Sequence, residues 1–298
     1  MSLAGMFGFR ARVWLFFLLG LLGLRVATET GLQCAPVSQA SKPAASNPGL
    51  AAVRVPFEVG EQFTYLVSWK VFDAGIATLT LAEKTIFRNE EVYKISAAVR
   101  STGIVSALFQ VVDVFESLFH GRDLCSRQIA KNIQEGRRHR STLVSFDPKT
   151  RQARMEDKDM NRPDLPATRT TSSIPGCVQD VISALYLIRT KNLRVGDLIR
   201  LPINDGGRTY DVGVEVQAQE EVKTPAGAFQ TFRLEPKVFD GLFKNKGRMF
   251  VWLTNDNKKI PVQLKAKINI GTITAALTQV HRPPAWRPMP PTKATPQP

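Results

Sequence analysis

Two strictly alternating segments constrain this chain more than any other feature: Tyr210 to Ala218 and Ile260 to Ile270. In the first, Tyr210, Val212, Val214, Val216 and Ala218 fall on one side, with Asp211, Gly213, Glu215 and Gln217 on the other. In the second, Ile260, Val262, Leu264, Ala266, Ile268 and Ile270 oppose Pro261, Gln263, Lys265, Lys267 and Asn269. Period two over such lengths means long strands with one apolar and one wet face. Strands of that kind build antiparallel sheets. The expected fold is therefore mainly β: a large antiparallel curved sheet, as a barrel or sandwich, with one principal short helix.

At 298 residues the chain can bury a sizeable core. Its beginning does not belong to that core. Arg10 and Arg12 precede an apolar run from Val13 to Leu24, closed by Arg25. The run is short for a bilayer span but suits a secretory signal. The expected organisation is a signal peptide over 1–27, with cleavage as late as 40, and a flexible tether over 28–54. A single β-rich domain over 55–281 and a Pro-rich tail over 282–298 follow. An uncleaved N-terminal anchor is the alternative, and the bulky Gln33 before Cys34 argues against lipidation. The expected location is exported, in the periplasm or associated with the envelope.

Export governs the reading of the cysteines. Without the first forty residues, Cys125 and Cys177 remain, and an even pair in an oxidising compartment reads as one disulfide. Two buried free thiols are the alternative. His120, His139 and His281 lie far apart in sequence, so neither a metal site nor a cofactor is expected. The net charge is +14. A basic exported chain meets anionic envelope surfaces more readily than nucleic acid. Arg137, Arg138 and Arg140 concentrate part of that charge as a candidate anionic-docking patch, with a solvated strand end as the alternative.

Along the chain, alternation around Phe63–Trp69, Ile76–Ala82 and Tyr93–Val99 predicts a three-strand meander. A short helix is expected over Ile104–Phe109, and further strands over Val111–Phe119, Leu124–Gln134 and Arg138–Phe146. Arg151–Met155 is expected to return as a hairpin, and 156–174, with Pro163 and Pro166, as a long loop. The principal helix is predicted from about Cys177 to Arg189, on the apolar stripe of Val178, Val181, Ile182, Leu185, Tyr186 and Ile188. Asp180 would lie in its first turn, and Pro175 suits its entrance. Asn204-Asp205-Gly206-Gly207 and Thr224-Pro225-Ala226-Gly227 read as hairpin turns, and Met249–Thr254, apolar on both faces, as a central strand.

Four stretches carry a resemblance. They are Pro56-Phe57-Glu58-Val59-Gly60-Glu61 with Tyr65 and Trp69; Asp180-Val181-Ile182-Ser183-Ala184 with Tyr186 and Arg189; Val195-Gly196-Asp197 followed by Thr224–Phe229; and Trp252–Asp256 leading to Ile260-Pro261-Val262. In this order they resemble the exported bacterial family of domain of unknown function 3108, which implies fold and address but no activity. The hairpin from Trp252 to Val262 is also similar to one in periplasmic lipoprotein-carrier folds. That similarity implies a curved sheet wrapping a helix and leaving an apolar cavity for acyl chains.

Catalysis finds little support. Ser183 has no neighbouring His, Asp205-Gly206-Gly207 lies between strands rather than before a helix, and Glu220 and Glu221 point to opposite faces of one strand. No enzymatic activity is expected. A long sheet with one apolar face must cover it with a helix, a second sheet or a ligand. The function expected is therefore binding of a lipid or other apolar ligand in the concave face. The candidate lining is Tyr65, Trp69, Tyr93, Val212, Val214, Phe250, Trp252 and Leu264, with Phe72 and Phe232 nearby. A filled-core structural or interaction module of the envelope is the alternative. The partners expected are a lipid or lipoprotein and an anionic envelope surface, not nucleic acid or metal.

Overall fold

The computed structural model describes residues 55–238, 247–268 and 271–282. The expected signal peptide and tether, the expected tail beyond Arg282, and the end of the second alternating segment at Asn269–Ile270 lie outside them. The described residues form one 14-stranded antiparallel sheet that is curved and unclosed, neither a sealed barrel nor a two-sheet sandwich.

The first meander comprises β1 (Gln62–Trp69), β2 (Phe72–Phe87), β3 (Glu90–Ser101), β4 (Val112–His120), β5 (Ser126–Glu135), β6 (Arg138–Asp147), β7 (Gln152–Asp159) and β8 (Thr168–Ser173). A short helix, α1 (Gly103–Leu108), connects β3 to β4. The second meander is β9 (Leu198–Asp205), β10 (Arg208–Thr224), β11 (Gly227–Val238), β12 (Arg248–Thr254), β13 (Pro261–Ile268) and β14 (Gly271–His281). Within each meander every strand pairs with its sequence neighbours, and β1 joins the meanders by pairing with β14. The edge strands are consequently β8 and β9, and the segment linking them carries the principal helix, α2 (Val181–Arg189).

The alternating segments behave as their period requires. In β10, Tyr210, Val212, Val214 and Val216 are buried on one face. The pairing shifts between Val216 and Ala218, so a bulge re-aims the rest of the strand. Gly206 and Gly207 turn β9 into β10 with φ of 57° and 79°, the left-handed backbone a two-residue hairpin needs.

Three sequence expectations are corrected. The long loop over 156–174 is mostly sheet: β7 runs to Asp159 and β8 spans Thr168–Ser173, leaving only 160–167 between them. β8 is exposed on nearly every residue, so hydrophobic period had nothing to register there. The helix begins at Val181, not Cys177, because Asp180 is its N-cap rather than a first-turn residue and Pro175 lies well before it. The Asp180 carboxylate accepts from the Ile182 and Ser183 amides at 2.8 and 3.0 Å, and the Ser183 hydroxyl accepts from the Asp180 amide at 2.9 Å. That reciprocal pair is a capping box. Finally, β5 starts at Ser126, after Leu124 with φ 57°.

Candidate functional site

The concave face is organised around α2. Its Ile182 and Tyr186 pack into a core cluster with Phe57, Phe63, Tyr65, Tyr93, Phe119 and Leu81. Its Ala184 and Ile188 pack into a second cluster with Val212, Val214, Val216, Leu234 and Leu253. Four rings interlock at the first contact: Phe57 meets Tyr186 edge-on at 5.0 Å and Tyr93 at 5.5 Å, while Tyr93 stacks on Phe119 at 5.2 Å. Apolar burial on both flanks makes α2 a wedge between the halves of the curled sheet.

Polar locks hold this wedge at each end. At the N-terminus, the second oxygen of the fully buried Asp180 carboxylate accepts from the Ser117 and Ser126 hydroxyls at 2.7 and 2.6 Å. One side chain thus caps the helix and binds it to β4 and β5. At the C-terminus, the fully buried Arg189 donates through Nη1 and Nη2 to Glu61 at 2.5 and 3.1 Å. Nε and Nη2 also reach the Lys258 carbonyl at 3.3 Å each. The guanidinium lies 5.4 Å from the Phe57 and Phe63 ring centres and 4.9 Å from that of Tyr186. Its pKa is raised: burial acts against the charge, but the Glu61 carboxylate outweighs it. Burial likewise pushes the Tyr186 and Tyr65 hydroxyls up. Tyr65 Oη donates to the Pro261 carbonyl at 2.8 Å.

A third lock joins the interior strand β5 to the edge strand β9. The Lys131 ammonium on β5 pairs with the Asp205 carboxylate on β9, both nearly enclosed. Beside it the backbone of Gln179 pairs with the β9 edge, its amide donating to Pro202 at 2.9 Å and its carbonyl accepting from Asn204 at 2.8 Å. The Val178 carbonyl accepts from the Ser126 amide at 2.9 Å, which reaches β5. Cys125 and Cys177 form the expected disulfide, with Cα atoms 5.3 Å apart. It fastens the segment before α2 to the chain just before β5.

The candidate lining residues divide. Val216, Leu234, Val251, Leu264, Ala275 and Val67 are directly opposite one another in successive pairs, so they share one face. Tyr65, Trp69, Tyr93, Val212, Val214 and Leu264 follow that face by strand alternation and register. Phe250 and Trp252 lie on the other face of β12, since Val251 and Leu253 alternate with them. There Trp252 Nε1 donates to Glu220 at 2.6 Å, and Lys265 and Lys267 lie 5.6 Å from the Trp252 and Phe250 ring centres. Phe232 packs in the second cluster, whereas Phe72 is exposed.

Among the three arginines of the basic patch, Arg138 pairs with Glu135 at 3.1 Å and Arg140 with Asp157. Arg137 is exposed at the β5–β6 turn. A small polar pocket of about 20 Å³ adjoins the Arg189 lock, lined by Glu58, Glu61, Lys258, Ile260 and Arg282. No group of three or more metal-ligating side chains occurs among the described residues.

Sequence reasoning missed the pairs Glu61–Arg189 and Lys131–Asp205 and the buried Asp113. Asp113 accepts from the Gln134 amide at 2.9 Å, and burial, aided by the nearby Glu135 charge, pushes its pKa up to about 7 against that bond and Arg138. A signal for the first pair was present. Three of the stretches carrying the resemblance contain or adjoin Glu61, Arg189 and Lys258, and these three meet at one lock.

A comparison with curated proteins yields no significant match. Among solved structures, a β-barrel-like protein of domain of unknown function DUF1849 from Brucella abortus is similar at 9% identity and TM-score 0.48, over 74% of this chain and 97% of that one. An exported protein, so assigned provisionally, with a YmcC-like fold from Bacteroides fragilis matches at 10% identity and TM-score 0.35, over 78% and 100%. A provisionally assigned lipoprotein from Parabacteroides distasonis matches at 8% identity and TM-score 0.34, over the same shares. The family model of DUF3108, proteins of unknown function, matches residues 64–278, nearly the whole sheet from β1 to β14, and the chain belongs to that family.

Proposed function

We propose that this is an exported envelope protein that acts by binding rather than catalysis, as a packed interaction module. One observation carries the choice over a ligand-filled concave face. Where a ligand was expected, against Val212 and Val214, the protein's own Ala184 and Ile188 are packed. The buried charges point the same way. Asp180 serves as a cap, Arg189 and Glu61 satisfy each other, Lys131 and Asp205 join strands, and Glu235 holds Arg248 at 2.6 Å. Groups so engaged are poorly placed to move protons or attack a substrate.

Export is supported by Arg10 and Arg12 before the apolar run Val13–Leu24, and by the Cys125–Cys177 bond, which persists in an oxidising compartment. Native mass spectrometry of protein purified from its own envelope tests the packed reading. The expected mass is that of the polypeptide alone, with a single disulfide. A stoichiometric co-purified amphiphile would return the concave face to ligand binding.

A further inference from the structure

We infer that the end of the sheet bearing α1 docks on an anionic lipid bilayer. This rests on the binding reading above and names the partner. The β1–β2 turn, α1 and the β5–β6 turn lie at one end, because β1 runs from Gln62 toward Trp69 and each later strand is antiparallel to its neighbour. Hydrogen bonds make these connections one continuous rim. The Thr102 amide donates to the Ala74 carbonyl at 3.0 Å, and the Gly136 amide donates to the Gln110 carbonyl at 2.8 Å. Phe109 lies so close over Gly136 that a Cβ there would sit 2.7 Å from its ring.

Large apolar side chains protrude from this rim. Val71 is 86% exposed, Phe72 62%, Ile104 80% and Leu108 71%. Ile104 and Leu108 are four apart and so share one side of α1, a helix with no buried residue. Isolated exposed apolar groups are ordinary, but four on adjacent connections form a patch. They project from turns rather than lining a groove. Apolar projections of this kind enter the interfacial layer of a bilayer readily.

Charge selects the kind of bilayer. Residues 70–75, 100–110 and 135–138 contain Lys70, Arg100, Arg137 and Arg138 against Asp73 and Glu135, and Glu135 is paired with Arg138 at 3.1 Å. Lys70, Arg100 and Arg137 are exposed. Basic side chains bordering apolar tips match anionic head groups, each contributing roughly a fivefold gain in partition near such a surface. The opposite end supplies a natural control. Ile86, before the β2–β3 turn, is 69% exposed, and among the described residues no large apolar side chain is exposed in the β2–β3, β4–β5 or β6–β7 turns beside it.

The test uses the full chain carrying Cys34→Ser, with a bimane fluorophore attached through Leu108→Cys or, separately, Ile86→Cys. Vesicles are 70:30 phosphatidylethanolamine:phosphatidylglycerol or pure phosphatidylcholine, each doped with brominated lipid. Quenching at position 108 on the anionic vesicles is expected, with little at position 86 and little at either position on phosphatidylcholine. Combining Lys70→Glu, Arg100→Glu and Arg137→Glu should lower quenching at 108 at least tenfold in lipid titrations, with the thermal midpoint unchanged. Ile104→Asp should lower it about tenfold. Equal quenching at 86 and 108, equal quenching on neutral vesicles, or no quenching on either would overturn the assignment. Native mass spectrometry of the unlabelled protein separates this from the packed-module reading: a bound amphiphile with intact quenching refutes only the latter, and a bare polypeptide without quenching refutes only the docking.

Discussion

Substituting Arg189 should be among the most damaging single changes available to this fold. Arg189→Met removes two bonds to Glu61 at 2.5 and 3.1 Å and two contacts with the Lys258 carbonyl at 3.3 Å. The Met stem keeps part of the packing against Phe57, Phe63 and Tyr186. What remains is a carboxylate whose side chain is only 10% exposed, with its partner gone. Breaking a buried pair from one side costs about 3–5 kcal/mol. Replacing both partners by neutral groups costs much less, so Glu61→Gln with Arg189→Met should be milder than the sum of the single changes by at least about 2 kcal/mol. Urea unfolding followed by far-UV circular dichroism gives all four corners of the cycle. The coupling should also persist in 1 M salt, where exposed pairs are screened. A single-variant loss below about 1 kcal/mol, or additivity within about 0.5 kcal/mol, would refute the lock.

Other perturbations test the remaining parts of the fold. Reducing the Cys125–Cys177 bond, or replacing both cysteines by Ser, frees a loop with a sequence separation of 52 and should cost about 4 kcal/mol on the chain-entropy account, read as a lower urea midpoint. Asp113→Asn should stabilise the protein above pH 7 and change little near pH 4. The raised pKa means that the folded state holds a proton which the unfolded chain has released, so wild-type stability falls as pH rises from about 4 to 7; thermal midpoints of both proteins across that range check the sign. Gly75→Ala would drive a Cβ into the Arg100 carbonyl on β3 and should cost about 1–3 kcal/mol, measured by the same denaturation.

How much of this was legible depends on what each face presents to a reader of sequence. β10 showed its buried side plainly because Val212, Val214 and Val216 alternate with polar residues. β12 did not, because Phe250 and Trp252 are as apolar as Val251 and Leu253, and only pairing with β11 and β13 assigns the faces. β8 was illegible for the opposite reason, since Thr168–Ser173 pairs its backbone with β7 and buries almost no side chain. The start of α2 was misplaced because Val178 continues the apolar stripe, while Gln179 spends its backbone on the β9 edge. Lys131 reads as a solvated strand residue until Asp205 meets it from the far end of the sheet. Glu61 and Arg189, 128 positions apart, carry no shared period. Local pattern specifies strands; it cannot specify which distant charge satisfies a buried one.

The edges explain why these distant contacts recur around one segment. A linear order from β8 to β9 leaves two free edges, and a free edge invites pairing with another chain unless something covers or twists it. Here the link between those edge strands does the covering. Gln179 occupies part of the β9 edge, Cys177 is bonded to Cys125, and Asp180 is bound to β4 and β5. Eight residues after Val181, α2 has reached Glu61, immediately before β1, and the β12–β13 turn through Arg189. The helix therefore ties strands of the first meander to the second, and fixes the curl without closing the sheet. These locks cluster around α2, while the exposed rim of Val71, Phe72, Ile104 and Leu108 stands at the end where β1 finishes. Substitutions on that rim should consequently leave unfolding unchanged while altering what the surface contacts, so stability and docking can be measured separately in the same molecule.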